Sequence, residues 1–160
     1  MTQPSLDDAP DLAVQSWDDI PSVKPDQLKL LIVDDDEMMH RLVHRALTGL
    51  GFTQIRVAHD GAQGLAAVER EVPDIIISDY HMPEMHGLDF VDAVRADEAR
   101  DETIIIMLSA HDDPSVIDGA RDLGADTFIV KPFSRTDLKR LIDTLHHRFR
   151  CARIAWPEGC

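Results

Sequence analysis

A short apolar run, Ile75–Ile77, which leads into Asp79, constrains the fold of this chain more than any other feature of the sequence. A bounded run of β-branched residues predicts a strand that is buried on both faces, as in a parallel sheet covered by helices. Ligands of open parallel sheets bind at the carboxyl ends of the strands, where Asp79 would lie. Two other apolar runs end similarly: Leu30–Val33 leads into three aspartates, and Phe128–Val130 leads into Lys131. We therefore expect acidic side chains and a lysine to meet at one edge of a sheet.

The hydrophobic pattern alternates between strand and helix periods five times along the chain. The predicted strands are Leu28–Val33, Gln54–Ala58, the run that ends at Asp79, Thr103–Leu108 and Thr127–Val130. The predicted helices are Glu37–Leu50, Gly61–Glu71, Leu88–Ala96, Ser115–Leu123 and Asp137–Arg150. Asp36 is expected to cap the first helix, and Met39, Leu42 and Val43 are expected on its inward face. This alternation predicts an α/β fold, with a parallel sheet covered on both faces and joined by right-handed crossovers.

Composition restricts the class of protein. A formal net charge of -14 over 160 residues argues against nucleic acid as a direct partner, since phosphate backbones would be repelled. The two cysteines, Cys151 and Cys160, form no disulfide framework, which suits a reducing compartment. The first residues have neither the basic start nor the apolar segment of a signal peptide, and no stretch has the length of a membrane span. We therefore expect a cytoplasmic protein without membrane insertion.

Three segments are expected along the chain. Residues 1–26 form an acidic extension with four prolines, in which Leu12, Trp17 and Ile20 fall near helical spacing. This extension is either a mobile tail or an arm that folds on the domain or a partner. Residues 27–150 contain all five strand–helix pairs and are expected to form one domain. Residues 151–160 form a tail too short for a second domain, so we expect no output domain in this chain.

The residues at the strand ends predict phosphoryl chemistry. Asp34, Asp35 and Asp79 would lie a few ångströms apart, and like charges at that distance raise one another's pKa or require a cation. Carboxylate oxygens in this number suit Mg²⁺. A carboxylate can act as a nucleophile and form an aspartyl phosphate. Lys131 would supply a positive charge, and Ser109 a hydroxyl that donates to a phosphoryl oxygen. Together these groups predict reversible phosphorylation of an aspartate.

Four short motifs of the chain resemble those of a known family. The motifs IVDDD, SDYHMPEMHG, MLSA and FIVKPF occur in this order. In that combination they resemble the receiver domain of bacterial two-component response regulators, over about Lys29–Arg150. The size of the chain is similar to the single-domain chemotaxis type. The resemblance implies a flavodoxin-like, doubly wound (βα)5 fold whose strands, counted along the chain, lie in the order 2-1-3-4-5. It also implies a signalling protein, with self-phosphorylation and self-dephosphorylation chemistry only, rather than an enzyme.

The resemblance implies roles for the acidic residues. Asp79 resembles the phospho-acceptor, which takes a phosphoryl group from a histidine kinase or a histidine phosphotransferase. Asp35 resembles the direct Mg²⁺ ligand, and Asp34 the more distant acid that acts through water. The backbone carbonyl of His81 would complete the protein ligands of the metal.

The resemblance also implies a switch. Ser109 resembles the hydroxyl that follows the phosphoryl group inward, and Phe128 resembles the aromatic side chain coupled to it. Lys131 resembles the lysine that pairs with the acceptor, followed at Pro132 by a cis proline. Phosphorylation would then reshape the face made by the fourth helix, the fifth strand and the fifth helix, by biasing an existing equilibrium. That face would bind an unidentified downstream protein or, as a homodimer, a second copy of the chain.

Some positions differ from the commonest receiver pattern. Phe128 stands where tyrosine is also frequent and has no hydroxyl, so any switch must act by packing alone. His86 stands where an acid is common. His81 and His111 lie two positions beyond Asp79 and Ser109, where side chains flank the incoming water in this family. We hypothesise that these two imidazoles make the phosphoryl lifetime depend on pH near neutrality.

Two other functions are compatible with the motifs. A haloacid-dehalogenase-type phosphatase would use Asp34 as nucleophile and Asp36 as general acid, but Asp79 would then have no role. This chain also lacks the acidic metal motif after Lys131 and the cap domain that such a phosphatase would need. A receiver fold that is never phosphorylated could act as a constitutive interaction module.

Overall fold

A computed structural model describes residues 20–82, 84–110, 114–150 and 152–159. In chain order its strands are β1 (Ser22–Val23), β2 (Lys29–Val33), β3 (Gln54–Ala58), β4 (Ile75–Asp79), β5 (Ile104–Ser109), β6 (Thr127–Val130) and β7 (Arg153–Ile154). Its helices are α1 (Glu37–Gly49), α2 (Gly61–Arg70), α3 (Gly87–Arg95), α4 (Pro114–Asp122) and α5 (Arg135–Arg150). Every predicted helix and strand is present, with ends that differ from the prediction by at most two residues.

The five central strands form one parallel sheet in the order β3-β2-β4-β5-β6. Counted from β2, this is the predicted 2-1-3-4-5 order of a flavodoxin-like fold, and that prediction is confirmed. β4 and β5 are buried along their whole length, as their isoleucine-rich sequences indicate. Because all five strands run in the same direction, their carboxyl ends share one edge of the sheet.

Helices cover both faces of the sheet and bury a separate apolar cluster on each. One cluster joins inward residues of α1 and α5, such as Leu47 and Ile142, to one face of the strands. The other joins α2, α3 and α4, through residues such as Val68 and Phe90, to the opposite face. Burial of these two clusters removes aliphatic and aromatic surface from water, which is the main term that stabilises such a fold.

The start of α1 follows the prediction, whereas one side of its apolar face does not. The carboxylate of Asp36 accepts a hydrogen bond from Met38 N at 2.9 Å and caps the helix. Gly51, with a φ of 98°, adopts the left-handed conformation that commonly ends a helix. Leu42 is 55% exposed, so its predicted inward position is wrong. The helix is turned so that Val43 and Leu47 meet the sheet, and Leu42 lies at the flank of this face.

Two segments outside the central sheet pair with each other. β1 and β7 form a parallel two-stranded sheet, in which Ser22 pairs with Arg153 and Val23 with Ile154. These strands were not predicted.

The proposed domain boundaries at residues 26 and 150 stay a prediction, and the helical spacing around Leu12 and Trp17 lies outside the described residues. Within the part of the chain that the structure describes, no helix has the length and apolar character needed to cross a membrane.

Candidate functional site

Three carboxylates meet at the carboxyl edge of the sheet. Asp34 and Asp35 follow β2, and Asp79 is the last residue of the neighbouring strand β4. One oxygen from each lies within 4.8 Å of the others. Asp34 and Asp79 are buried, whereas Asp35 is exposed. The topology therefore brings together the acids that the sequence places at separate strand ends.

Lys131 reaches this acidic cluster from the end of β6. Its Nζ donates a hydrogen bond to Asp79 Oδ1 at 3.0 Å and lies 4.0 Å from Asp34 Oδ2. The backbone N–H of Lys131 donates to the carbonyl of Ser109 at 2.7 Å, which fixes the lysine beside the end of β5. The peptide bond between Lys131 and Pro132 is cis, as predicted.

Asp34 has the most constrained environment of the three acids. Its Oδ1 accepts a hydrogen bond from Asp36 N at 2.8 Å, while its buried Oδ2 has no hydrogen-bond partner. Burial raises the pKa of Asp34 to about 6; the nearby charge of Asp79 acts in the same direction, while the Asp36 N–H and Lys131 oppose the shift. A buried carboxylate oxygen without a donor is costly unless another group compensates it.

The acidic cluster fits a hard divalent cation. Three carboxylate oxygens, one from each acid, lie within 4.8 Å of one another and match the ligand chemistry of Mg²⁺. The Oδ2 of Asp34, which has no hydrogen-bond partner, is available to such an ion. His81 lies two residues beyond Asp79, in the loop that leaves β4, and its side chain is exposed. A cation there would offset the repulsion between Asp34, Asp35 and Asp79 that a single lysine leaves uncompensated.

Ser109 lies on β5, the strand next to that of Asp79, and Phe128 lies on β6, one strand further along. Ser109 is the last residue of β5, is buried, and follows Leu108, which is the register partner of Asp79. Phe128 lies in β6, is partly buried, and packs against the apolar cluster shared with α3 and α4. Ser109 therefore lies at the same edge of the sheet as the acids and the lysine, and Phe128 lies two residues before the end of β6.

A group of aromatic side chains surrounds Tyr80, which the sequence did not indicate as a site residue. The Tyr80 ring contacts His86 edge-on at a centroid distance of 4.6 Å and His81 at 4.8 Å. Its centroid is 6.1 Å from that of Phe128. His86 also caps α3 by accepting from Leu88 N at 3.4 Å. Tyr80 therefore connects Phe128 to the start of α3. His111 lies outside the described residues.

Gly87 is a second residue whose role the sequence did not show. A Cβ atom at this position would lie 2.5 Å from the carbonyl oxygen of Asp79 and 2.8 Å from that of Tyr80. Its N–H donates to the Tyr80 carbonyl at 3.1 Å. The absence of a side chain lets the first turn of α3 lie directly against the end of β4. In the sequence, only its position directly before the predicted helix Leu88–Ala96 indicated that this glycine has a structural role.

A family model described as the response regulator receiver domain matches residues 30–143. The chain belongs to this family. The predicted resemblance is confirmed, and within two-component signalling this receiver domain is similar to the chemotaxis type.

The matches to individual relatives extend over nearly the whole length of each relative. The receiver is 37% identical over 120 residues to a probable chemotaxis protein CheY from Rhizobium etli, which covers 75% of this chain and 93% of the relative. The solved chemotaxis response regulator CheY4 of Vibrio cholerae is 33% identical, with a TM-score of 0.70 over 74% of this chain and 98% of that chain. The receiver domain of a sensor histidine kinase from Pseudomonas aeruginosa, solved with a magnesium ion coordinated in the active site cleft, is 25% identical. Its TM-score is 0.67, over 76% of this chain and 96% of that chain.

Proposed function

We propose that this receiver is a single-domain response regulator that accepts a phosphoryl group on Asp79. The observation that carries the proposal is the 3.0 Å contact between Lys131 Nζ and Asp79 Oδ1 inside a cluster of three acids. A structural ion pair on the surface would not need two further carboxylates, one of them buried with an unpartnered oxygen. The likeness to chemotaxis receivers supports the same function. The protein would be cytoplasmic and act in signalling rather than as an enzyme.

The transfer itself requires one nucleophile and stabilisation of charge. A carboxylate oxygen of Asp79 attacks the phosphorus of a phosphohistidine, so that an O–P bond forms as the N–P bond breaks and the electron pair returns to the imidazole. Lys131 balances negative charge on the acceptor, and the Ser109 hydroxyl donates to a phosphoryl oxygen. Asp34, Asp35, Asp79 and the His81 carbonyl would hold Mg²⁺, which when bound supplies positive charge for the phosphoryl oxygens.

The response would be read on the face formed by α4, β6 and α5. Movement of Ser109 toward the phosphoryl group frees space that Phe128 fills by packing alone, since it has no hydroxyl. The face then binds a downstream protein. From Lys131 to the end the chain carries seven Lys or Arg and three Asp or Glu, so an acidic partner or the acidic part of a second copy, in a homodimer, would complement it. The phosphoryl donor would be a histidine kinase or histidine phosphotransferase, and nucleic acid is not proposed as a direct partner.

The test uses acetyl phosphate as donor, with Mg²⁺, and mass spectrometry of the intact chain and its peptides. Wild type should gain one phosphoryl group on Asp79, and Asp79→Asn should gain none. Asp36→Asn is the matched control, because Asn also caps helices and the residue lies beside the acid pair without joining the cluster. It should be labelled like wild type.

The same variants separate the alternatives. In a haloacid-dehalogenase-type phosphatase, Asp34 would carry the phosphoryl group and Asp36→Asn would lose turnover, so labelling of Asp79→Asn would overturn the proposal. A constitutive interaction module would remain unlabelled with every donor and would bind its partner equally with or without beryllofluoride. Label on any residue other than Asp79 would likewise contradict the mechanism.

A further inference from the structure

An apolar groove lies between α1 and the segment that joins β6 to α5. Its cavity has a volume of about 540 Å³, which is in the range that accommodates a drug-sized ligand. Leu42, which is 55% exposed, is part of its wall. The groove therefore has the size and the walls of a docking site for an amphipathic segment. The apolar lining consists of Met39, Leu42, Ala46, Pro132 and Phe133.

Three cationic side chains border the groove. Lys131 already pairs with Asp79, to which its Nζ donates at 3.0 Å. Arg45 and Arg135 are exposed, and among the described residues neither guanidinium has a carboxylate within ion-pair distance. Arg135 extends from α5 to the last turn of α1, since a Cβ at Gly49 would lie 2.7 Å from its guanidinium. The two arginines give the groove a basic border that fits an acidic segment.

We propose that an N-terminal segment of the same chain, residues 11–20, docks in this groove as an amphipathic arm. Of these residues, only Ile20 belongs to the part of the chain that the structure describes. Leu12, Trp17 and Ile20 fall near helical spacing, which predicts an apolar face for the arm. That face would cover the exposed part of Leu42 and remove apolar surface from water.

The charges of the arm and of the groove are opposite in sign. Residues 1–19 contain five aspartates and no lysine, arginine or histidine. Asp18 and Asp19 directly follow the tryptophan of the predicted apolar face. When that face lies in the groove, these carboxylates would be able to pair with Arg45 and Arg135 at its border. Complementary charge around an apolar contact favours this occupant over a basic or a neutral segment.

The start of the described chain lies near the groove. The Pro21 carbonyl accepts a hydrogen bond from Arg153 N at 2.8 Å, which holds it beside β7. Pro25 lies beside the end of α1, since a Cβ at Gly51 would be 3.5 Å from its side chain. A helix of ten residues is about 15 Å long, which matches the length of residues 39–49 on α1. A short tether also gives the arm an effective concentration on the order of millimolar, which favours it over a second copy of the chain.

The indole of Trp17 reports the docking in the full chain. Trp156→Phe is introduced throughout, because it leaves Trp17 as the only tryptophan. The emission wavelength and the quenching by acrylamide then measure how far this indole is shielded from water. We expect emission at a shorter wavelength, and several-fold less quenching, than in the same protein unfolded in urea. Both values should be independent of protein concentration, because the arm belongs to the same chain.

Two variants change the groove at exposed positions, so both should fold, and far-UV circular dichroism checks this. Leu42→Asp places a charge in the apolar wall and should abolish the shielding of the indole. Arg45→Glu combined with Arg135→Glu reverses the charge of the border and should reduce the shielding. Arg41→Glu combined with Arg140→Glu is the matched control. It makes the same change of net charge at exposed positions of the same two helices, outside the groove lining, and should leave the indole shielded.

The proposal is overturned if the parent indole is quenched as readily as in the unfolded chain. It is also overturned if both groove variants leave the shielding unchanged, because the arm would then lie elsewhere. Shielding that weakens on dilution would contradict it by showing a second copy as the source, and an equal loss in the control would show an effect of net charge alone. Phosphorylation of Asp79 has no part in these readouts, so this inference and the proposed function can fail independently.

Discussion

Asp34 links the acidic site to the stability of the whole domain. Burial raises its pKa from 3.8 to about 6, so between these values the native state holds a proton that the unfolded state has lost. The stabilising contribution of this proton is complete below about pH 4 and is lost as the pH rises through about 6. From this group alone, the free energy of unfolding should fall by an amount on the order of 3 kcal/mol across that range.

Asp34→Asn tests this prediction, because the amide has no proton to lose. With divalent metal chelated, the variant should gain stability relative to wild type as the pH rises, by an amount on the order of 3 kcal/mol at neutral pH. Urea denaturation of both proteins at a series of pH values measures the difference. A difference that stays constant over the series would show that Asp34 titrates alike in the folded and unfolded chains.

Gly87 offers a steric prediction beside the same site. In Gly87→Ala the new Cβ would lie 2.5 Å from the Asp79 carbonyl oxygen, so β4 and α3 must move apart. We expect a loss of about 1–3 kcal/mol in the free energy of unfolding, measured in urea. Gly119→Ala in α4 is the matched control, since among the described residues no atom outside the adjacent helix backbone lies within 4 Å of the added carbon. It should stabilise by about 0.5–1 kcal/mol through helix propensity. Equal effects of the two substitutions would contradict this account.

Local sequence pattern was informative for the charged residues of the site and much less so for their neighbours. Asp79, Asp34 and Lys131 each follow a buried apolar run, and a parallel sheet brings such positions to one edge. Tyr80 and Gly87 act through contacts with residues that meet them only in the folded domain. The hydrophobic periodicity of a sequence does not show which rings will be in contact or how closely a glycine will approach a backbone carbonyl.

At the scale of helices and strands, prediction succeeded where burial is complete. β4 and β5 are buried on both faces and therefore have continuous apolar sequences. β1 and β7 contain two residues each, which is too short for any alternation, and they pair across most of the length of the chain. Leu42 was placed inward because helical spacing gives a broad apolar face without showing which flank the sheet covers.

Arg95 ties α3 to the segment before β6. Its guanidinium donates to the carbonyls of Gly124 at 3.0 Å and Arg100 at 2.8 Å, and to the Asp126 carboxylate at 3.0 Å. Asp126 in turn accepts from Ile105 N at 2.7 Å. Burial raises the pKa of Asp126, which Arg95 opposes. The pair is mostly buried, so loss of one partner would leave the other charge uncompensated.

Arg95→Met should therefore lower the free energy of unfolding by about 3 kcal/mol, as measured by urea denaturation at neutral pH. Arg41→Met is the control, because Arg41 and Glu37 form an exposed pair one turn apart on α1. Its loss should cost about 0–1 kcal/mol. If the two variants lose the same stability, Arg95 does not act through a buried network.

At the scale of the whole molecule, the acidic site and the paired terminal segments lie at opposite ends of α1. Asp36 caps the start of this helix next to Asp34 and Asp35. Gly51, just beyond its end, lies against Pro157, since a Cβ at Gly51 would be 2.8 Å from the Pro157 side chain. A helix of 13 residues separates the two regions by about 20 Å. Changes in the terminal segments should therefore affect stability without disturbing the acids.

Trp156 is the residue that allows this separation to be tested. Its ring meets Phe52 edge-on at 5.8 Å, Lys139 Nζ lies 5.4 Å from the ring centroid, and its Nε1 donates to Asp143 Oδ1 at 3.2 Å. Phe52 is fully buried, whereas Trp156 is only partly so. Trp156→Ala should lower the free energy of unfolding by about 1–3 kcal/mol, less than for a fully buried tryptophan.

The matched control is Phe149→Ala, which removes an aromatic ring that is 47% exposed near the end of α5 and should change stability by less than about 0.5 kcal/mol. Both variants should accept the phosphoryl group from acetyl phosphate to the same extent as wild type, because neither residue contacts the acidic cluster. Unchanged stability in Trp156→Ala would mean that β1 and β7 add nothing to the fold. Reduced labelling with stability intact would mean that the terminal segments influence the acids through α1, contrary to the separation inferred from the geometry.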